Sequence, residues 1–348
     1  MSKYKVAIYS ICYNHAPYVE KTLDGFSAQK TDFPFVDILI DDASSDGTQG
    51  VVKKYIKEHF VPDDIHEDLD MDDAIILFRK HNQNKNFHII IIFLKNNYYQ
   101  QKKQKEPVFA KWAAGSDYWA FCECDDYWID EYKLQKESDF LDSHPEYGLV
   151  YTDFDIHYYD TGKYIQAAFK NGLKPIITSF EEHLVKAAYI APMSWLCRIP
   201  MDKLMEGYQG PSSIDTSFIM ALEVFLHSKV YYMDTVTCVY GKHAGSATKQ
   251  TSLSKQYEFA HGAYSTQRYY LETYNLRHKY PNCLDYFLNA YYCYIISHQK
   301  EEDYSEVLSF FHRKGKQSLK FYLFDKMMRL KFTMPVLRAI CKYRIKNQ

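Results

Sequence analysis

The sequence predicts an α/β protein, a mostly parallel central sheet flanked by helices, followed by a C-terminal helical appendage. Three observations carry this. Short apolar runs alternate with helical spacings through the first 150 residues, polar clusters fall where those runs end, and from about residue 254 only the helical period remains. A chain of 348 residues has room for one large domain with an appendage or for two domains. The change of pattern sets the expected organisation: a catalytic-sized region over 1–250 and a helical region over 251–348.

Residues 5–12, KVAIYSIC, read as a buried strand, and Tyr13-Asn14-His15-Ala16-Pro17 breaks it. Val19, Leu23 and Phe26 recur at helical spacing across 18–29. Phe35 to Ile40 is a second strand that ends at Asp41-Asp42. Ala43-Ser44-Ser45-Asp46-Gly47 is a turn rich in helix-capping residues, and Val51 to Phe60 continues as a helix. Strand, helix, strand, helix is a βαβ unit, which requires parallel strands. Residues 61–86 read as irregular. Their acidic run, DDIHEDLDMDD, lacks the central glycine and terminal glutamate of a calcium loop, so a solvated insertion is expected. Phe87 to Leu94 is the third strand, Lys95 to Lys105 a polar basic loop, and Pro107 to Ala114 a helix closed by Gly115. Tyr118 to Glu123 is the fourth strand, followed by a helix over 132–141. Leu149–Phe154 and Met193–Ile199 read as strands, Thr216–Leu226 as a helix, and 230–233 and 236–240 as two further strands.

Composition narrows the function. A net charge of -2 gives no bias toward nucleic acid. The 33 Tyr and 22 Phe suit sugar faces, though aromatic side chains equally serve as core filler. Eight scattered cysteines contain no CxxC pair, which argues against a zinc or disulfide framework and for a reducing cytoplasm. MSKYKVAIYSICYNH carries no secretory signal, and the run Ile89–Leu94 is too short to cross a bilayer. Between Arg313 and Gln348 the sole acid is Asp325, set among many Lys and Arg with Phe321, Leu323, Phe324, Met328, Leu330 and Phe332 interleaved. This basic amphipathic tail is either a helical cap with a solvated face or a surface for peripheral contact with an anionic membrane.

In an open parallel sheet, ligands bind beyond the carboxyl ends of the strands. Tyr13-Asn14-His15, Asp41-Asp42 and Asp125-Asp126 fall there, on one rim. No dinucleotide or P-loop glycine motif follows the first strand. In FCECDDYWID, residues 121–130, carboxylates crowd the end of an apolar run. Hard oxygen ligands of this kind suit Mn²⁺ or Mg²⁺, with a phosphate completing the coordination.

Three stretches, VAIYSICYNHAPYVEKTLDGFSAQ, VDILIDDASSDGTQGVV and YWAFCECDDYWIDEYKLQKESDFL, together with VYGKHAGSAT, resemble glycosyltransferase family 2 over roughly residues 4–249. The order and spacing of these motifs are what make the resemblance specific. It implies a Rossmann-like GT-A fold, a nucleotide-sugar donor, a UDP-sugar foremost, and metal-dependent inverting transfer to a glycan or lipid-linked glycan acceptor, of the bacterial surface-polysaccharide kind. By position it implies that Asp42 with Asp41 holds the base and that Ile11, Tyr13 and Asn14 line the same pocket. This chain has Ile11-Cys12-Tyr13-Asn14 where a Pro-Thr-Tyr-Asn type run is common, so one hydroxyl contact is absent. Asp125 would face ribose or metal, Asp126 would bind the metal directly, His243 would join it, and Glu123 would stand behind them. Asp215 is the implied base and also a good helix N-cap; Glu223 is the reserve. Trp195 would stack on acceptor sugar or fill the core. Lys102, Lys103 and Lys105 would close over the diphosphate or form a solvated loop.

Two rivals stand beside this reading. A glycoside hydrolase would also use paired carboxylates but leaves Asp41-Asp42 and the βαβ opening without a purpose. A catalytically inactive sugar-nucleotide or polysaccharide-binding protein would keep the same fold.

Overall fold

The N-terminal half of the chain lays down β1 (Val6–Cys12), α1 (Val19–Ser27), β2 (Phe35–Asp41), α2 (Thr48–His59), β3 (Phe60–Pro62), β4 (Leu69–Asp70), β5 (Ala74–His81), β6 (Phe87–Leu94), α3 (Glu106–Ala113), β7 (Tyr118–Phe121), β8 (Tyr127–Trp128), α4 (Lys133–Ser143), β9 (Tyr147–Tyr158) and β10 (Lys163–Ile165). Then follow α5 (Phe180–Lys186), β11 (Trp195–Cys197), α6 (Met201–Glu206), α7 (Thr216–His227), β12 (Lys229–Lys242) and five helices, α8 (Leu253–Thr273), α9 (Asp285–Ser297), α10 (Tyr304–Gly315), α11 (Leu319–Arg329) and α12 (Met334–Lys346). This computed structural model describes residues 4–187, 189–206, 208–211, 216–245, 253–315 and 319–346.

The strands form one mixed sheet in the order β3-β5-β6-β2-β1-β7-β11-β9-β12-β8, with β10 on β9 and β4 on β5. Its centre, β6-β2-β1-β7, is parallel throughout. β1 and β2 are apolar along nearly their whole length because helices cover both faces of a parallel sheet. One polar pair interrupts them: the Ser10 hydroxyl donates to Asp37 at 2.7 Å, fully buried.

Two expectations are corrected. Residues 61–86 are not an irregular insertion. They contain β5, which pairs antiparallel with β6 from Ala74↔Leu94 to Lys80↔His88, and β3 and β4 beside it. The alternating burial of AIILFRKH is a strand signal that the acidic run in front obscures. The two short strands expected over 230–240 are one, β12, whose pairing with β9 shifts register between Met233 and Val236 and again before Cys238. Bulges let one strand continue where the apolar pattern breaks.

The chain divides into two compact units. The first, Met1–Phe180, Tyr189–Tyr208 and Met220–Ala244, holds the sheet. Trp195 lies in its core, 1% exposed on β11, and so serves as filler. The second, Glu181–Ala188, Gln209–Ile219 and Gly245–Gln348, is helical and buries Leu288, Val307, Phe310, Phe311 and Leu337. Within it Gln267 donates to the Leu184 carbonyl at 2.7 Å, and Tyr257 stacks on His298. All eight cysteines are free and buried. Among the described residues no helix is long and apolar enough to cross a membrane.

Candidate active site

β1, β2 and β7 run parallel, so their C-terminal ends share one rim. Cys12 stands opposite Asp41. Beyond β7 the chain stays alongside β1, with the Cys122 N–H donating to the Tyr9 carbonyl (3.1 Å) and the Cys124 N–H to that of Ile11 (3.0 Å). Asp125 is thereby delivered beside the β1–α1 loop.

That loop is held by the turn after β2. Asn14 sits at φ 57°, a left-handed conformation that asparagine tolerates. Its N–H donates to Ser44 Oγ and its side-chain oxygen accepts from the Ser45 N–H, both at 2.9 Å. The His15 N–H donates to Thr48 Oγ1 (2.9 Å) and the Ala16 N–H to Asp46 (3.0 Å). Ile11 is half-buried and Tyr13 is exposed.

Asp41 and Asp42 divide their work. The Asp42 carboxylate accepts from the Tyr98 N–H (2.5 Å), the Tyr99 N–H (3.2 Å) and Lys105 Nζ (3.0 Å), so the 97–105 loop is fastened to it. Lys105 therefore faces Asp42, while Lys102 and Lys103 are exposed. Asp41 Oδ2 accepts from the Ser44 N–H and from Gln49, but its Oδ1 is buried with no hydrogen-bond partner among the described residues.

Asp125 and Asp126 divide in the same way. Asp126 Oδ1 accepts from the Gly241 N–H at 2.7 Å, tying the turn to β12. Burial, and then the charges of Asp125 and Glu123, push the Asp126 carboxyl well above the ordinary carboxylate range. Asp125 Oδ2 meets His243 Nε2 at 3.1 Å, and its Oδ1 is buried without a partner among the described residues. His15 completes a group: one ligand atom each from His15, Asp125 and His243 lie within 4.8 Å of one another. Asp126, expected to bind a metal directly, is not one of these three; its Oδ1 accepts from the β12 backbone. Glu123 is exposed. Burial holds the His15 imidazole below its usual pKa, against the pull of Asp125 and helped by the neighbouring His243.

Supporting residues fix these side chains. Tyr18 stacks on His243 (4.6 Å, 28°) and packs against Tyr159 (4.4 Å), whose hydroxyl donates to the Asp125 carbonyl at 3.3 Å. A Cβ on Gly241 would stand 2.0 Å from the Asp125 carbonyl oxygen, so only glycine lets β12 pass this close. Trp128 donates to the Met193 carbonyl (2.9 Å), meets Phe26 edge-on, and lies under Lys133, which pairs with Glu137 fully buried. The aromatic half of DDYW is thus the footing of the acidic half. Tyr18, Tyr159 and Gly241 escape the sequence reading, and His15 is placed there on the rim without a role of its own. Two signals were present: a histidine next to Asn14, and a glycine two residues before His243.

Of the remaining candidates, Asp215 lies outside the described residues. Glu223 on α7 is buried, with His227 Nε2 3.8 Å from its carboxylate.

The rim of this α/β sheet thus gathers two acidic pairs and two imidazoles where open α/β sheets bind their ligands. Comparison with known proteins gives it a family. The profile described as "Glycosyl transferase family 2" matches residues 8–205, more than half of the chain, and the chain belongs to that family. Uncharacterized protein Mb1547 of Mycobacterium bovis and uncharacterized protein Rv1520 of Mycobacterium tuberculosis are each 33% identical over 158 residues, 45% of this chain and 37% of the relative. The match thus spans little more than a third of those relatives' own length. The crystal structure of S. aureus TarS 1–349 in complex with UDP-GlcNAc is similar in fold, with TM-score 0.54 and 17% identity over 99% of this chain and 92% of that one. The mannosyltransferase PcManGT from Pyrobaculum calidifontis, in complex with GDP-Man and Mn²⁺, aligns at TM-score 0.48 and 13% identity over 97% and 88%.

Proposed function

We propose that the chain transfers a hexosyl or N-acetylhexosaminyl group from a nucleotide-diphosphate sugar, a UDP-sugar foremost, to a glycan or lipid-linked glycan. The observation that carries this reading is the pairing of two rim sites, each offering a buried unpartnered carboxylate oxygen, Asp41 Oδ1 and Asp125 Oδ1. The first is suited to a base N–H, and the second to a cation shared with diphosphate. The fold shared with TarS, which is seen with UDP-GlcNAc, supports the same donor class.

Asp125 and His243, with His15 beside them, fit a divalent ion such as Mn²⁺ or Mg²⁺. Such an ion supplies charge stabilisation to a leaving diphosphate. Ile11, Tyr13 and Asn14 line the nucleotide side. Asp215 takes the proton of the acceptor hydroxyl; the freed oxygen bonds to the anomeric carbon from the face opposite the diphosphate, which leaves with the electron pair of the breaking C–O bond. This single displacement inverts the centre. The catalytic work falls to residues 1–250, with 251–348 as a separate helical region.

The site of action proposed is the cytoplasmic face of the membrane. α11, the turn after it and α12 leave Leu319, Leu330, Phe332, Val336 and Tyr343 exposed, Phe332 at 79%, among Lys320, Lys326, Arg329, Lys331 and Lys342. Apolar side chains rimmed by cations suit an anionic bilayer surface. Flotation should find the protein with phosphatidylserine vesicles and not with neutral ones, and Phe332→Ser should weaken this. Equal recovery with both removes the membrane role.

The decisive test is incubation with a panel of UDP-, GDP- and dTDP-sugars and Mn²⁺, reading thermal protection and donor hydrolysis. Protection with turnover supports the transferase. Protection without turnover in any acceptor mixture identifies the inactive binding protein instead.

A further inference from the structure

We infer that His15 is a metal ligand and that the chain binds its cation through two imidazoles and one carboxylate, His15, His243 and Asp125, selecting a first-row transition ion such as Mn²⁺ over Mg²⁺. The inference deepens the proposed function, since it rests on the same rim.

Three separate segments converge to make the group. Asp125 arrives from the turn after β7, held to β1 through Cys124. His15 follows β1, its N–H on Thr48 and its carbonyl accepting from the N–H groups of Tyr18 and Val19 at 2.9 and 3.0 Å. His243 directly follows β12, its ring against Tyr18. Tyr18 thus belongs to the turn that His15 opens and braces the other imidazole as well. Each element places one ligand, and none of the three is adjacent in sequence to another.

Two buried atoms point to what is missing. His15 Nδ1 and Asp125 Oδ1 both lack a hydrogen-bond partner among the described residues. Buried polar atoms are nearly always satisfied, and two orphans in one group of side chains ask for a shared electrophile. A proton shared between His243 and Asp125 satisfies only the other carboxylate oxygen. Two donors about 2.1 Å from one ion are at most about 4.2 Å apart. Atoms already within 4.8 Å of one another need little closure.

The donor types set the selectivity. Mg²⁺ prefers an all-oxygen octahedron and gives up water reluctantly. Neutral imidazole suits first-row transition ions, Fe²⁺, Ni²⁺, Cu²⁺ and Zn²⁺ foremost and Mn²⁺ at the foot of that series, whereas Mg²⁺ lies outside it. Three protein ligands leave coordination positions for diphosphate oxygens, consistent with transfer chemistry at the rim.

The test uses the full chain without nucleotide. Titration with MnCl₂, followed by electron paramagnetic resonance of free Mn²⁺, should give one site bound at least about 10-fold tighter than MgCl₂ displaces it. Electron spin-echo modulation of the bound Mn²⁺ should report nitrogen from two imidazoles. His15→Ala should leave one imidazole and weaken Mn²⁺ at least about 10-fold. If His15→Ala does not fold, His15→Gln serves, with circular dichroism as the check. The inference is overturned if the wild-type signal contains one imidazole or none, or if Mg²⁺ competes as an equal. A protein that holds Mn²⁺ on two imidazoles yet turns over no sugar nucleotide keeps this inference and loses the transferase reading. Turnover with a single-imidazole signal does the reverse.

Discussion

Asp41-Asp42 and Asp125-Asp126 are the same dipeptide placed at or beyond the ends of two parallel strands, β2 and β7, of one mixed sheet, and the structure treats both alike. In each pair one carboxylate is spent on the protein and the other keeps an open oxygen. Asp42 fastens the 97–105 loop and Asp126 fastens β12, whereas Asp41 Oδ1 and Asp125 Oδ1 have no partner among the described residues. In each doublet the second residue is the anchor and the first keeps the open oxygen. The difference lies in the surroundings. Asp41 faces amide N–H groups of Ser44 and Gln49, and Asp125 faces imidazoles. The first suits a neutral heterocycle and the second a cation.

The largest expected effect separates the two members of the second pair. Asp125→Asn should lower turnover about 1,000-fold with little loss of stability, whereas Asp126→Asn, which still accepts from Gly241, should stay within about 3-fold. Steady-state rates with purified donor decide it, and equal losses would break the division into anchor and ligand. Next is the close passage of β12. Gly241→Ala should cost about 3 kcal/mol in urea unfolding and weaken Mn²⁺, because the added methyl must displace the Asp125 backbone. A third carboxylate sharpens the contrast by facing inward. Burial pushes Asp37 up to about 8, against the lowering hydrogen bond from Ser10. Unfolded, it titrates near 3.8, so its contribution is fully present below that pH and is lost as pH rises through about 8. Asp37→Asn should flatten the fall in the unfolding midpoint between pH 5 and 8, by on the order of 2 kcal/mol. The smallest effect tests the anchor of the first pair. Lys105→Met should cost about 1 kcal/mol and raise the donor KM several-fold, with kcat nearly unchanged.

Much of the scaffold was legible because its signals are local. KVAIYSIC and VDILID are apolar enough to demand cover on both faces, and the helices between them carry the matching spacing. β5 was missed because an acidic segment in front of it weighed more than five residues of alternation. The rim was legible as three clusters. The sharing of labour within each doublet was not, since nothing in DD says which member will meet the Gly241 amide.

The sequence by itself determined the parallel α/β core, the placing of acids at its strand ends and the helical, basic C-terminal region, because these follow from periodicity and connection rules. The tertiary structure was needed to bring His15 to Asp125 and His243, to tie Asp126 to the Gly241 N–H, and to require glycine at 241. Each of these depends on β12 returning beside β8 and β9 after a long excursion of the chain. A contact between segments so far apart leaves no periodic trace in either one.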